Sequence, residues 1–286
     1  MHAAISRLFA WGADLQGSTR PVALIRIGVA VLLLVLYADE VALFRTVTPI
    51  GVVLGAWFFA AVLMMLVGWR THLAVALASI ALVTMYFVIG ASPGITGWNH
   101  HHSYLLMAST LLLNFTPCGM SYSVDRLLAV RRAERDGREP PPERASLWAQ
   151  RLLGLQLSAI YFWTAIDKSD LAFVSGERLE QTMVWIYANR PLEAILTASW
   201  FTVTASVAVL AIEYFLAFGI QLRRLQPYAL PLGAMLHLAF YVLLPVTTYS
   251  ANMVLLYLAV LDPDAVHRFI DRLQGHHARS ADPHRL

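Results

Sequence analysis

Lysine is nearly absent from this sequence: Lys168 is the only one among 21 lysines and arginines. Cys118 is likewise alone, which excludes an intramolecular disulfide and any cysteine-built metal cluster, so redox chemistry here needs a borrowed cofactor. Charge of either sign is sparse, at 14% of residues, where soluble domains carry about 25%. Residues Met1–Arg20 have no small-residue cleavage site behind a short apolar core. They read as an interfacial helix, with Phe9 and Trp11 between Arg7 and Arg20, that leads into a retained first span rather than as a signal peptide.

What fills the chain is apolar, with 58% hydrophobic residues and a mean hydropathy of +0.59. Thr46–Trp69, Thr71–Val124, Leu152–Ile166, Ala194–Ile212 and Leu225–Leu261 contain no Asp, Glu, Lys or Arg. About 20 apolar residues in a helix cross a ~30 Å hydrocarbon core, and a helix satisfies its own backbone hydrogen bonds where lipid cannot. The pattern predicts an all-α polytopic transmembrane helical bundle of about eight spans. They are expected near Pro21–Phe44, Ile50–Val67, Thr71–Gly90, His102–Pro117, Trp148–Ile166, Leu196–Leu222, Tyr228–Leu244 and Tyr249–Leu261. The last two divide a run that would be roughly 55 Å long as one straight helix, with the turn at Pro245–Ser250, where breakers and polar groups gather. The one strongly hydrophilic stretch, Asp125–Arg144, reads as part of a solvated cytoplasmic loop over residues 120–147. The chain thus divides into an interfacial segment 1–20, a transmembrane domain 21–261 and a cytoplasmic tail 262–286.

Alternating the loops and applying the positive-inside rule sets a direction. With the N-terminus in the cytoplasm, 16 basic residues fall inside and only Arg45, Lys168, Arg178 and Arg190 outside. Both termini are then cytoplasmic, and Trp98–Ser103 shares the opposite side with Asp167–Gly176. The basic pI near 9.1 reflects these orientation signals, and no nucleic-acid partner is expected.

Lysine can lose its proton when desolvated, whereas arginine stays charged, so a lone lysine in an arginine-rich chain is a candidate base or nucleophile. The alternative is a snorkelling cation at a helix end, paired with Asp167 or Asp170. A base role needs both aspartates to face away and an apolar pocket with no carboxylate at salt-bridge distance. The run Trp98-Asn-His-His-His-Ser-Tyr104 offers imidazoles that can act as acid, base or ligand. Three consecutive side chains point in different directions, so no metal site is predicted, and the segment also reads as a polar helix start capped by Asn99 or Ser103. Glu213 and His237 lie near the middle of the sixth and seventh spans, where an ionisable group needs a partner. They are expected to contact each other, as a pin between helices or as part of a proton relay. Asp39 and Glu40 are expected at the outer end of the first span, beside Arg45. Arg26 is expected to snorkel to the inner boundary, and Tyr249, Tyr257 and the tryptophans to form an interfacial belt.

Several motifs follow one another in a telling order: Arg26-Ile-Gly28, Trp98-Asn-His-His-His-Ser-Tyr-Leu-Leu106, Asn114-Phe-Thr-Pro-Cys-Gly119, Tyr122-Ser-Val-Asp125, Gln156 to Tyr161, Thr164-Ala-Ile-Asp-Lys168 and Phe173-Val-Ser-Gly176. Together they resemble the HTTM family, the membrane domain shared with vitamin K-dependent gamma-carboxylase, over nearly the whole chain. Glu213 and His237 match that family's intramembrane acidic and histidine positions. The resemblance implies that Lys168 is a catalytic base that deprotonates a reduced vitamin K or menaquinone-type quinol, that molecular oxygen then converts the quinol to a strong base, and that His102 assists, with His101 its alternative. Trp98, Asn99, His101 and Tyr104 are then the expected substrate-binding residues. The sequence departs from the family at Asp167, where the residue is often Lys or small, at Phe173, where it is Trp, and in a histidine motif one residue longer.

The carboxylase has a large extramembrane C-terminal region that handles its protein substrate, and 25 residues follow Leu261 here. Quinol oxygenation is therefore expected and protein-glutamate carboxylation is not. The resemblance implies an enzyme of the bacterial cytoplasmic (inner) membrane, partnered by the bilayer, an isoprenoid quinone and a peptide or protein substrate, with its site on the non-cytoplasmic side. The competing reading is a non-catalytic accessory membrane protein in peptide or toxin maturation and export.

Overall fold

The apolar runs become helices in the computed structural model, which describes residues 16–42, 49–88 and 101–274. A three-residue antiparallel ribbon, β1 (Gln16–Ser18) with β2 (Arg144–Ser146), is the one departure from an all-helical fold among the described residues. The helices are α1 (Arg20–Ala42), α2 (Pro49–Val67), α3 (Thr71–Val88), α4 (His101–Leu113), α5 (Val124–Arg135), α6 (Trp148–Asp167) and α7 (Leu171–Val174). They continue as α8 (Glu177–Tyr187), α9 (Glu193–Leu196), α10 (Ser199–Gly219), α11 (Gln226–Leu243), α12 (Thr247–Leu255), a 3-10 turn (Leu256–Ala259) and α13 (Pro263–Leu273). Three segments are long and apolar enough to cross a bilayer, Arg20–Tyr37, Pro49–Val67 and Ser199–Gly219, while Thr71–Phe87 and His102–Leu113 are apolar but shorter. The chain is a helical membrane protein.

The turn expected at Pro245–Ser250 is a break between α11 and α12 at residues 244–246. The segments read as a solvated loop and as a tail each hold a helix. The hydrophilic stretch holds α5, because Ser123 Oγ accepts the Arg126 N–H at 2.9 Å as an N-cap, with Asp125 in the first turn and Arg132 and Arg135 in the last. The tail holds α13, whose N-cap Asp262 accepts the Ala265 N–H at 2.8 Å and whose first position is Pro263.

The chain forms two compact units, one of residues 1–153 with 258–286 and the other of residues 154–257. In the first, α1 packs on α2 and α4, α3 on α2 and α4, and α13 on α1 and β1. Ile25, Leu33, Phe58, Met65, Met85 and Leu105 are fully buried between them.

Arg26 does not snorkel. Its side chain is buried, with Nη1 donating to the Cys118 carbonyl at 2.7 Å and Nη2 to the Tyr122 carbonyl at 2.6 Å. Carbonyls freed beyond the end of α4 are unsatisfied acceptors, and a guanidinium meets two of them without crossing lipid to reach water. Gly68 leaves room for this: at φ +69° it takes the left-handed region, and a Cβ there would lie 2.7 Å from Arg26 Nη1 and 2.4 Å from Ser123 Cβ. Asp125 closes the same knot by accepting the Arg70 N–H at 2.8 Å and the Thr71 N–H and hydroxyl, each at 2.7 Å, which caps α3 from another helix.

In the second unit α10 is central, packed against α7, α8, α9 and α11, with α12 against α11. Phe162 of α6 meets Phe218 of α10 edge-on at 6.0 Å. Gln221 Nε2, just past α10, donates to the Gly154 carbonyl at 2.8 Å and the Ser158 hydroxyl at 3.0 Å, which ties the two helices at one end.

Candidate functional site

Polar residues on α6 recur at helical spacing. Tyr161, Thr164 and Lys168 are three and seven positions apart, so they share one face, and Tyr161 stands about 10.5 Å along the axis from Lys168. Lys168 directly follows the last residue of α6, and its N–H closes on the Thr164 carbonyl at 3.1 Å. The helix C-terminus favours a cation at that point.

Lys168 Nζ lies 2.9 Å from Glu213 Oε1 and 3.0 Å from Oε2. The lysine side chain is 22% exposed and that of Glu213 only 4%. The aspartates near Lys168 in sequence are held by Arg178, which donates to Asp170 at 2.8 Å and to Asp167 at 3.3 Å. Asp170 also caps α7 by accepting the Phe173 N–H at 2.6 Å. That bond first, and Arg178 next, hold its carboxyl below the usual carboxylate range. The carboxylate-free pocket expected for Lys168 is not what forms, because Glu213 reaches it from α10. Glu213 is one of the buried polar residues of α10, with Thr202 and Ser206 further toward the start of that helix.

His237 does not take Glu213 as its partner either. Its Nε2 lies 2.7 Å from the Tyr161 hydroxyl, which lies 2.7 Å from the Tyr257 hydroxyl. Phe240 and Tyr249 flank the imidazole at ring separations of 5.8 and 6.2 Å. Gly233, one turn before His237, admits Tyr257: a Cβ there would fall 1.9 Å from the Tyr257 oxygen. Glu213 and His237, expected to contact each other, are thus each hydrogen-bonded elsewhere: Glu213 to Lys168 just past α6, and His237 to Tyr161 on α6.

The tyrosine-histidine chain can run in either of two senses. Each hydroxyl has one proton to donate. If Tyr257 donates to Tyr161, then Tyr161 donates to His237 Nε2 and the imidazole carries its proton on Nδ1. In the opposite sense Nε2 donates and Nδ1 is left as an acceptor. His237 Nδ1 is buried with no hydrogen-bond partner among the described residues.

Of the other expected site residues, His102 is half-buried in the first turn of α4 and Tyr104 is 57% exposed. Both belong to the first unit, and Lys168 to the second. Ser103 is buried inside α4 rather than capping it. Trp98, Asn99, Arg45 and the side chains of His101, Asp39 and Glu40 lie outside the described residues. Sequence reasoning missed Tyr257, placed in an interfacial belt but buried here. It also gave Tyr161 no partner, although the seven-residue spacing to Lys168 was the available signal.

Neither a curated protein nor a solved structure matches the chain. A family model does, the HTTM domain, over residues 22–264, an extent that takes in Arg26, the knot at Asp125, the Lys168–Glu213 pair and the Tyr161–His237 chain. The chain belongs to the HTTM domain family, the transmembrane domain of vitamin K-dependent carboxylase-like proteins.

Proposed function

We propose that this protein is a quinol-dependent membrane enzyme in which Lys168 and Glu213 act together as the base. The observation that carries the reading is the pair itself: a lysine held by both oxygens of a carboxylate buried in α10, open to its surroundings only on the lysine side. Such a pair shares one titratable proton between two basic atoms. With that proton on Nζ the carboxylate is the base, and with it on Glu213 the amine is. Either form can accept one further proton and end as an ammonium beside a neutral acid. The ammonium then faces the negative charge that develops on the hydroxyl oxygen that gave the proton up.

The donor set suits a quinol, whose hydroxyl can give a proton to the pair and whose oxygen can take a hydrogen bond from Nζ. The weakest contact of Nζ, to the Thr164 carbonyl at 3.5 Å, is the one a ligand oxygen can replace. A bound quinol supplies the acidic hydroxyl and the reducing electrons for molecular oxygen. In this reading His102 assists, Trp98, Asn99, His101 and Tyr104 line the quinol site, and the enzyme lies in a bacterial cytoplasmic membrane. The about eight spans, the cytoplasmic termini and the outward-facing site belong to the same proposal.

The saturation of Nζ favours a second reading, in which the pair only pins α6 to α10 and the protein is an accessory component of peptide or toxin maturation. Quinol-dependent oxygen uptake and saturable quinone binding by the purified protein separate the two. Under the enzyme reading, Lys168→Arg and Glu213→Gln each lose most oxygen uptake while quinone still binds. Full uptake by both variants, or no saturable quinone binding by wild type, removes it.

A further inference from the structure

The helix α13 sorts its charges by side. Its acids face the protein: Asp264 accepts from Arg144 at 2.7 and 3.0 Å and from the Ser18 N–H at 3.2 Å, and Asp271 lies 2.5 Å from Arg20 and 3.3 Å from His267. Pro263 and Val266 are buried beneath. The outward side carries Ala265, Phe269 and Leu273 at i, i+4 and i+8, flanked by the exposed Arg268 and Arg272. Phe269 is 60% and Leu273 72% exposed. With its carboxylates engaged inward, the open face is apolar and cationic.

The helix is also tied to the start of a candidate span: its partner Arg20 is the first residue of Arg20–Tyr37, and with that span in a bilayer α13 would lie where hydrocarbon gives way to headgroups. Trp148, 42% exposed, follows the strand that pairs just ahead of the same span, and tryptophan favours that level.

We propose that α13 is an in-plane interfacial helix that binds anionic lipid, with Phe269 and Leu273 entering the acyl boundary and Arg268 and Arg272 holding headgroup phosphates. An outward face that combines large apolar side chains with exposed arginines suits this surface. A soluble protein partner would lack the reason for the helix to lie at the mouth of a span.

The test uses the full chain with Leu273→Cys in a Cys118→Ser background, labelled with bimane and placed in phosphatidylcholine nanodiscs with or without phosphatidylglycerol. Brominated acyl chains should quench the label and aqueous iodide should not, more so with phosphatidylglycerol present. Arg268→Glu and Arg272→Glu should each lower phosphatidylglycerol retention in native mass spectrometry about fivefold, since a basic residue near an anionic surface contributes about 1 kcal/mol. Phe269→Cys provides a second reporter should the first variant express poorly. Labels at both positions quenched by iodide and not by brominated lipid would overturn the proposal and leave the face to a soluble partner. Equal quenching in both lipid mixtures, with retention unchanged in the glutamate variants, overturns the anionic assignment.

Discussion

Glu213 grips Lys168 with both carboxylate oxygens, at 2.9 and 3.0 Å, from a helix that begins 31 residues after the lysine. Removing one member of such a pair leaves the other uncompensated, a loss of about 3–5 kcal/mol where burial is deep. Lys168→Met with Glu213 retained should therefore unfold at a clearly lower temperature in detergent than Lys168→Met/Glu213→Leu, which removes both charges. Equal melting of the two variants would show that the pair carries little of the α6–α10 contact.

Gly233 and Tyr257 compete for one volume. A methyl group at 233 would sit 1.9 Å from the Tyr257 oxygen, so Gly233→Ala should displace the ring, break its bond to Tyr161 and cost about 1–3 kcal/mol as an overpacked site. Tyr257→Phe removes the clashing atom, and the double variant Gly233→Ala/Tyr257→Phe should recover part of the loss. Strictly additive melting shifts would mean that the two residues do not share the space.

Arg26 should be intolerant of lysine as well as of methionine. Two hydrogen bonds from a charged donor contribute about 1.5–3 kcal/mol each, and a lysine ammonium cannot match the fork that reaches the Cys118 and Tyr122 carbonyls 2.7 and 2.6 Å away. Thermal unfolding in detergent should rank wild type above Arg26→Lys and Arg26→Lys above Arg26→Met. A lysine variant as stable as wild type would contradict the bidentate account.

Asp125 links the α3 cap to pH. Burial opposes its ionisation, but the Thr71 N–H and hydroxyl and the Arg70 N–H outweigh it and hold the carboxyl below its ordinary value of 3.8. A folded value below the unfolded one contributes stability above the unfolded value and loses it as pH falls toward the folded one. Melting temperature should thus be insensitive to this group near neutrality and decline below about pH 4. Asp125→Asn should be less stable near neutrality and show a shallower acid decline, which melting curves across pH can check.

The direction of the chain is open to impermeant thiol labelling of intact cells. In a Cys118→Ser background, Gly97→Cys should label from outside and Arg138→Cys should not. Cys118 is fully buried, which makes it a poor reporter for either side. The reverse pattern would invert the topology and move Lys168 to the cytoplasmic face.

Much of the architecture was readable because lipid leaves a chain few choices: charge-free runs become helices, and the break at residues 244–246 falls where length forbade a single rod. The positions of Lys168, Glu213 and His237 as expensive groups were also legible. Their partners were not, because depth along a span says nothing about which helix stands alongside. Tyr161 captured His237, and Glu213 turned to a lysine placed at a helix end. Arg26 illustrates the same limit, since nothing local marks the Cys118 and Tyr122 carbonyls as its acceptors.

That last contact bears on biogenesis. Arg26 sits seven residues into α1, yet its acceptors are 92 and 96 positions further along the chain. While a ribosome is still making α2 and α3, neither of the two carbonyls that hold the guanidinium exists. The buried seat of Arg26 is thus completed only when the turn after α4 has been made, so the final packing of the first helix depends on chain synthesised long after it.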